Sequence, residues 1–530
     1  MKIRELSIAN HKGFVDFNMT FDQTSSVTTI IGENGIGKSN LIELIVSIFR
    51  AIDLGETAEF NYALSYECRQ HEIKINFDAE DSTKNRVEID NSKKSFAFLK
   101  ANSNEYLPLN IFTYYSGTNW RVEELFVKHQ TRFYDALTKG DDRLIRRFFY
   151  CRDVHSFFVL LAFLVDDEIA CKNLLKKLHI VSIDSVLFAL KKPYWYKGKP
   201  NEIMSEEGDP RFWYSRGIVK DFLGNLWDQA IAPIDALERK VIDFRGRTEN
   251  QDRLYLYLSG EGSLKDLAKN YPDTATLFKN IESTYIADLL EDVQVTVNMD
   301  NGQQLTFDAL SEGERQLLTV LGLMKFTRDD ESLFLLDEPD THLNPRWKLD
   351  YFDQIEKILD HKIDGGKKTS WDSSQIILTT HDPLMLTSLR ASQIRVISLD
   401  ESGKKISQIP TEDPINLGVE AIIQSELYGI RTSLSKDIQH KIDLRNKLLS
   451  QNKISGKPLK RLEELNNELD IIGMQYAHPN PYFSNFAKAL SRSPLFRRPE
   501  FSNEEYEEIQ RLSDSILSEI LSEEDGDDKN

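Results

Sequence analysis

The feature that most constrains what this chain can fold into is the run Leu333-Phe334-Leu335-Leu336-Asp337-Glu338-Pro339. Four successive apolar residues without alternation read as a strand covered on both faces. The strand delivers two adjacent carboxylates at its tip, and Pro339 stops it. Charges placed there are costly to desolvate unless something positive meets them. A Mg²⁺ ion and a polarised water remove that cost, so the run predicts a nucleotide-hydrolysis site. Shortly upstream, Leu310-Ser311-Glu312-Gly313-Glu314-Arg315-Gln316 reads as a Ser/Gly turn opening a helix.

A second stretch points the same way. Gly32-Glu33-Asn34-Gly35-Ile36-Gly37-Lys38-Ser39 fits the pattern G-x-x-x-x-G-K-[ST]. It follows the apolar, β-rich Val27–Ile31 and precedes a helix-periodic set, Leu41, Ile42, Leu44, Ile45 and Ile48. That strand–loop–helix context is what a phosphate-binding loop requires. Gly32, Asn34, Gly35 and Gly37 let backbone N–H groups turn towards phosphate oxygens, and the helix start adds its positive dipole end. Lys38 then reaches the β- and γ-phosphates and Ser39 ligates Mg²⁺. ATP and Mg²⁺ are the expected ligands, with Ser39 and Asp337 as the metal residues.

The set GENGIGKS, LSEGERQ, LFLLDEPDTHLNP and ILTTHDP, in that order, resembles the ABC-type ATPases. The opening MKIRELSIANHKGF resembles their RecF/SMC branch, which handles DNA. The resemblance implies an α/β fold: a P-loop ATPase head of mixed sheet flanked by helices, interrupted by an insertion. It implies roles for single residues. Asp337 would hold the Mg²⁺ shell, Glu338 would be the general base, and His381 would contact the γ-phosphate. Ser311, Glu312 and Gly313 would reach the nucleotide of a second protomer, and Asp340 would cross that boundary. A homodimer or higher oligomer is therefore expected. The sequence departs from the family after the strand Leu109–Tyr115. No glutamine follows to meet the metal, and Tyr115, Ser116 and Gly117 stand in its place. His11-Lys12-Gly13-Phe14 falls where the family has residues near base and ribose; Lys12 reads either as a phosphate contact or as a solvated lysine.

Four segments are expected. Residues 1–120 form the first half of the ATPase, with a hairpin at 61–68 and 71–78. Residues 121–285 are too long for a loop and read as a mainly helical folded insertion. Its 156–165 run is almost wholly apolar, and Pro193, Pro200, Pro210, Pro233 and Pro272 break any long rod, predicting a compact arm or lid. Residues 286–400 complete the ATPase, with Ile394–Leu399 as the last strand and Asn301-Gly302 as a hairpin turn. Residues 401–530 form a helical region outside the ATPase proper, with helices at 435–450 and 457–472 and an acidic tail at Glu504–Asp528. Those helices read either as a hairpin on the ATPase or as a partner interface. Within the insertion, Lys191, Lys192, Lys197 and Lys199 interleave with Tyr194, Trp195 and Tyr196. Such a pattern suits nucleic acid, and equally a hairpin with solvated lysines.

Net charge bounds the partners. With 85 acidic against 66 basic residues the chain carries −19, so nucleic acid can be met only by a local basic patch. No apolar run of membrane-spanning length occurs and MKIRELSI is no signal peptide. Cys68, Cys151 and Cys171 lack metal spacing and read as reduced thiols of a cytoplasmic protein.

A narrower resemblance lies in LPLNIFTYYSG, SELYGIRTSLS, RLEELNNELDIIG and PNPYFSNFAKAL. These are similar to the PtuA-like ATPases of Septu and retron-associated anti-phage systems. That likeness implies a sensor or scaffold hydrolysing ATP to ADP and phosphate and controlling a separate HNH-type nuclease. In retron forms a reverse transcriptase and its RNA–DNA product join it. No Glu and Asp-x-Asp follow His381, and there is no His-Asn-His or Cys/His zinc set, so a nuclease centre within this chain is not expected. A RecF-type repair ATPase and a nucleotide switch with little turnover remain alternatives.

Overall fold

The computed structural model describes residues 1–117, 120–142, 147–241, 243–327, 331–359, 373–429, 435–449 and 457–471. They fall into two compact units, Met1–Arg431 and Thr432–Asn530. The first half of the larger unit supplies strands β1 (Lys2–His11), β2 (Phe14–Thr20), β3 (Val27–Gly32), β4 (Tyr62–Cys68), β5 (His71–Phe77), β6 (Arg86–Ile89), β7 (Ser92–Lys94), β8 (Ile111–Tyr115) and β9 (Phe148–Tyr150). The rest supplies β10 (Ile180–Lys191), β11 (Ile231–Val241), β12 (Thr248–Ser259), β13 (Leu290–Met299), β14 (Gln304–Thr306), β15 (Leu333–Asp337), β16 (Gln375–Thr379), β17 (Ile394–Leu399) and β18 (Lys405–Gln408).

Seven strands form the sheet that carries the site, in the order β18-β17-β3-β16-β15-β8-β9. All neighbours run parallel except β18, which pairs antiparallel with β17. The central strands β3, β16 and β15 are buried nearly throughout, which is why they read as unbroken apolar runs. Because β16 lies between β3 and β15, the phosphate-loop strand and the carboxylate strand end on the same edge, one strand apart. Ligands of open α/β sheets bind beyond such carboxyl ends. The fold is the mixed-sheet head of a P-loop ATPase. One expected boundary is corrected. Ile394–Leu399 is not the last strand, since β18 continues the sheet at its edge, so residues 401–408 are part of the head.

A six-stranded antiparallel sheet, β2-β1-β4-β5-β6-β7, covers the loop's helix Lys38–Leu54. The β4–β5 hairpin is as expected. In β1 the pairing with β4 shifts between Ile3 and Glu5. That irregularity lets Ile3, Leu6 and Ile8 all face the core despite their uneven spacing.

The third sheet, β11-β12-β10-β13-β14, is antiparallel and built largely from the insertion. Residues 121–285 thus contain the long strands β10, β11 and β12 beside their helices. The helix His155–Leu164 is buried along His155–Phe163 and shares one core with the helix Glu312–Phe326. The joint is close: a Cβ added at Gly322 would lie 2.1 Å from Val159 Cγ1. Residues 188–220 are not a hairpin. β10 ends at Lys191, a helix follows at Glu202–Glu207, and one isolated bridge joins Asp209 to Ser215.

In the smaller unit the helices Lys436–Leu449 and Lys457–Ile471 pack on each other, with Leu462, Leu465 and Leu469 buried and Lys441 paired to Glu468 at 3.1 Å. The acidic tail and PNPYFSNFAKAL lie outside the described residues. Among the described residues no helix is long and apolar enough to cross a membrane. All three cysteines are free and buried.

Candidate nucleotide-hydrolysis site

The phosphate loop leaves β3 at Gly32, where a Cβ would fall 2.5 Å from the Ile397 carbonyl oxygen of β17. The loop therefore hugs the sheet edge. Gly37, in the left-handed region at φ 109°, caps the helix Lys38–Leu54. Lys38 is buried and its Nζ donates to the carbonyls of Gly32 (2.8 Å) and Glu33 (3.3 Å), closing the loop on itself. Burial draws its ammonium below the ordinary lysine range, against the pull of the Glu338 and Asp337 charges. A Cβ at Gly35 would meet nothing within 4 Å, so the loop's mouth is open where phosphates would enter.

Asp337 ends β15 at only 2% exposure. The Thr379 hydroxyl, from the neighbouring strand, donates to its Oδ1 at 2.6 Å, and the Ser39 hydroxyl lies near enough to favour its anion. Burial still holds its carboxyl above the ordinary carboxylate range. Glu338 turns out of the strand with φ 48°, a strained conformation for a residue with a side chain. Its N–H is held by both the carbonyl (3.1 Å) and the hydroxyl (3.0 Å) of Thr379. The carboxylate so aimed meets His381, with Nδ1 3.2 Å from Oε1. The structure thus brings together Lys38, Ser39, Asp337, Glu338 and His381. The residues fit Mg²⁺: the Ser39 hydroxyl lies near Asp337, a desolvated carboxyl that makes no ion pair among the described residues.

The signature turn is tied to its own chain. Ser311 caps the helix Glu312–Phe326 through a capping box with Glu314. Gly313 is buried, and a Cβ there would lie 2.3 Å from the His342 carbonyl oxygen. Gln316 Nε2 donates to the Pro339 carbonyl at 3.0 Å. The outward edge of the turn is therefore Ser311 and Glu312, both exposed. Asp340 does not join them. It is 1% exposed, its carboxylate accepts from the Thr380 hydroxyl at 3.0 Å, and Lys348 lies 3.9 Å away. In the single chain the turn after Glu338 folds Asp340 inward.

In place of the absent glutamine, the Ser116 N–H donates to the Asp337 carbonyl at 3.3 Å. Arg121 approaches from the same side. Its guanidinium lies 5.8 Å from the Tyr115 ring, donates to Asn40 at 2.9 Å and adds its charge to the field at Asp337. Lys12 pairs with Glu43. Arg121, Thr379 and Thr380 were missed by sequence reasoning. For the threonines the signal was present, as two hydroxyls ending an apolar strand before His381.

The residues of the basic segment meet different surroundings. Lys191 pairs with Asp288 at 2.5 Å and Lys192 with Asp252 at 3.3 Å, while Trp195 Nε1 donates to the Ala287 carbonyl at 2.9 Å. Lys197 and Lys199 are exposed. Two of four charges are thus answered within the chain, and the tryptophan is anchored rather than offered to bases.

Comparison with known proteins agrees with this geometry. A family model described as "AAA ATPase domain" matches residues 1–137, and one described as "AAA domain, putative AbiEii toxin, Type IV TA system" matches residues 210–387. The chain is similar to "Retron Vc95 probable ATPase" of Vibrio cholerae serotype O1 biovar El Tor, at 22% identity over 78% of this chain and 76% of that one. It is also similar to "Septu protein PtuA" of Bacillus mycoides (strain KBAB4), at 24% identity over 47% of this chain and 35% of that one. Among solved structures, an SMC head bound to the C-winged helix domain of ScpA overlaps at a TM-score of 0.33 with 13% identity, over 77% of this chain and 98% of that one. That overlap is too slight to add to the strand order itself.

Proposed function

We propose that this chain, an ATPase with retron and Septu ATPases among its relatives, hydrolyses ATP at the Gly32–Ser39 loop as the nucleotide-driven subunit of an anti-phage defence complex. The observation that carries the catalytic part is the Thr379 clamp. One threonine fixes both Asp337, through its hydroxyl, and the N–H of Glu338. A carboxylate positioned to take a water proton and one positioned to hold a metal are thereby set by a single strand end.

The residues then divide the work. Lys38 exchanges the Gly32 and Glu33 carbonyls for the β- and γ-phosphates. Ser39 and Asp337 hold Mg²⁺, which when bound neutralises phosphate charge. Glu338 orients and deprotonates the attacking water. With Nδ1 of His381 turned to Glu338, Nε2 is the nitrogen left for the γ-phosphate. Donation to both requires a proton on each nitrogen. The Ser311 hydroxyl and the backbone N–H groups of the turn at Glu312 and Gly313, at the start of their helix, supply the remaining donors to the nucleotide of a second copy, so a complete site needs two chains. The nucleotide state of that dimer would gate an HNH-type nuclease subunit, with a reverse transcriptase and its RNA–DNA product in retron-like settings. The relatives' names support that role.

The test is phosphate release from Mg²⁺-ATP. Glu338→Gln is expected to lower turnover by about 10²- to 10⁴-fold while ATP binding, measured by calorimetry, persists. Parental turnover in Glu338→Gln would remove the assignment of the base. For the effector, purification from the native operon followed by a nuclease assay with parental and Glu338→Gln protein should show activity that depends on the ATP-bound state.

A further inference from the structure

Lys405 lies on β18, the antiparallel edge strand that brings the head's sheet back past the phosphate loop. Its ammonium sits 4.4 Å from the centroid of the buried Phe14 ring. It also sits 2.9 Å from where a Cβ on Gly37 would be, and 3.0 Å from the same position on Gly13. The Phe14 ring reaches within 3.3 Å of that Gly37 position, so ring and ammonium together wall one side of the loop's last glycine. Its neighbours' charges are answered: Lys404 pairs with Asp16 at 2.8 Å and Lys12 with Glu43. Lys405 makes no hydrogen bond or ion pair with the described residues. Burial lowers its ammonium below the ordinary lysine range, and no carboxylate offsets that cost. The aromatic face holds the cation in place without neutralising it. In a chain of net charge −19, an ammonium left without an acid beside a phosphate loop is poised for an anion.

We propose that Lys405 is a second cationic ligand of the bound nucleotide, meeting the α- and β-phosphates from the edge-strand side. The proposal rests on the ATP reading of the loop. Position assigns the phosphates: Lys38 serves the β- and γ-phosphates, whereas the backbone of the loop cradles the α- and β-phosphates. Lys405 stands at that backbone, against Gly37. Because ATP and ADP share those two phosphates, Lys405 would support both alike and carry no information about the γ-phosphate.

The experiment is calorimetric titration of the full chain with Mg²⁺-ATP and Mg²⁺-ADP. Lys405→Gln is expected to weaken both by the same factor, roughly 10- to 100-fold. Lys405→Met, which keeps an apolar stem against Phe14, should lose a similar factor, and Lys405→Arg should retain most of the affinity. Thermal melts without nucleotide should match the parental chain, separating ligand loss from damage to the fold. Unchanged affinity in Lys405→Gln and Lys405→Met, or a loss confined to ATP, would overturn the role of Lys405 and leave the ATP site standing. A folded parental chain that binds neither nucleotide would overturn the ATP reading itself, and this proposal with it.

Discussion

At the scale of single residues, Asp337 is where folding and function pull apart. Burial holds its carboxyl above the ordinary carboxylate range even with the Thr379 hydroxyl bonded to it. For a raised carboxyl the sign is fixed. The contribution to stability is complete at acid pH, below the ordinary carboxylate range, and is lost as pH rises through the raised value. At neutral pH the empty fold therefore carries a cost that Mg²⁺ removes. Asp337→Asn keeps an oxygen to accept from Thr379 and discards the charge. Its ligand-free melting temperature at pH 7 should exceed the parental one, with the gap closing below about pH 4, while stabilisation by Mg²⁺-ATP disappears. A lower melting temperature at pH 7 would show that the anion is already compensated. Residues such as Gly37, Lys38, Asp337 and Glu338 were legible because the chemistry of a phosphate loop and a metal carboxylate fixes their spacing along the chain. Arg121 and Lys405 were not, because they reach the site from separate strands and loops. No linear pattern records that approach.

At the scale of elements, the signature helix and the helix His155–Leu164 are joined at a glycine. Alanine would be the better helix former at 322, but its Cβ would fall 2.1 Å from Val159 Cγ1. Gly322→Ala should therefore lower unfolding free energy by about 1–3 kcal/mol in urea titrations, the usual cost of overpacking. Adding Val159→Ala should recover part of it, since the methyl group then has room. Equal stability of Gly322→Ala and parent would mean a loose joint. The apolar sequence of 156–165 announced a buried helix but not its partner. That partner lies in residues 312–326, with which the helix shares one core. The edge strand β18 was missed for a related reason. Lys405–Gln408 is half-exposed and short, and it carries no apolar run of the kind that marks β3 or β15.

At the scale of the whole molecule, the proposed completion of the site by a second copy would make mass a readout of chemistry. In the Glu338→Gln background, ATP should double the mass seen by light scattering. Ser311→Arg added to it should leave the chain monomeric, with ATP affinity within roughly threefold of the single variant, because Ser311 caps its helix from an exposed position and lies outside the loop that holds the nucleotide. A dimer that survives Ser311→Arg would place the subunit contact elsewhere. The order of motifs along the chain is what raises the two-copy expectation. The course of the insertion back through the core was not, because it depends on pairings between residues more than a hundred positions apart.

The glycine joint also bears on how a movement at the signature turn would travel. Because position 322 carries no side chain, the signature helix seats directly against Val159, and a shift at Ser311 would be felt by both helices. The antiparallel sheet β11-β12-β10-β13-β14 contributes to that same core. Its outermost strand, β11, presents Ile231, Leu237 and Val241 to solvent. Displacement begun at a phosphate would surface there, at the rim farthest along the sheet from where it started.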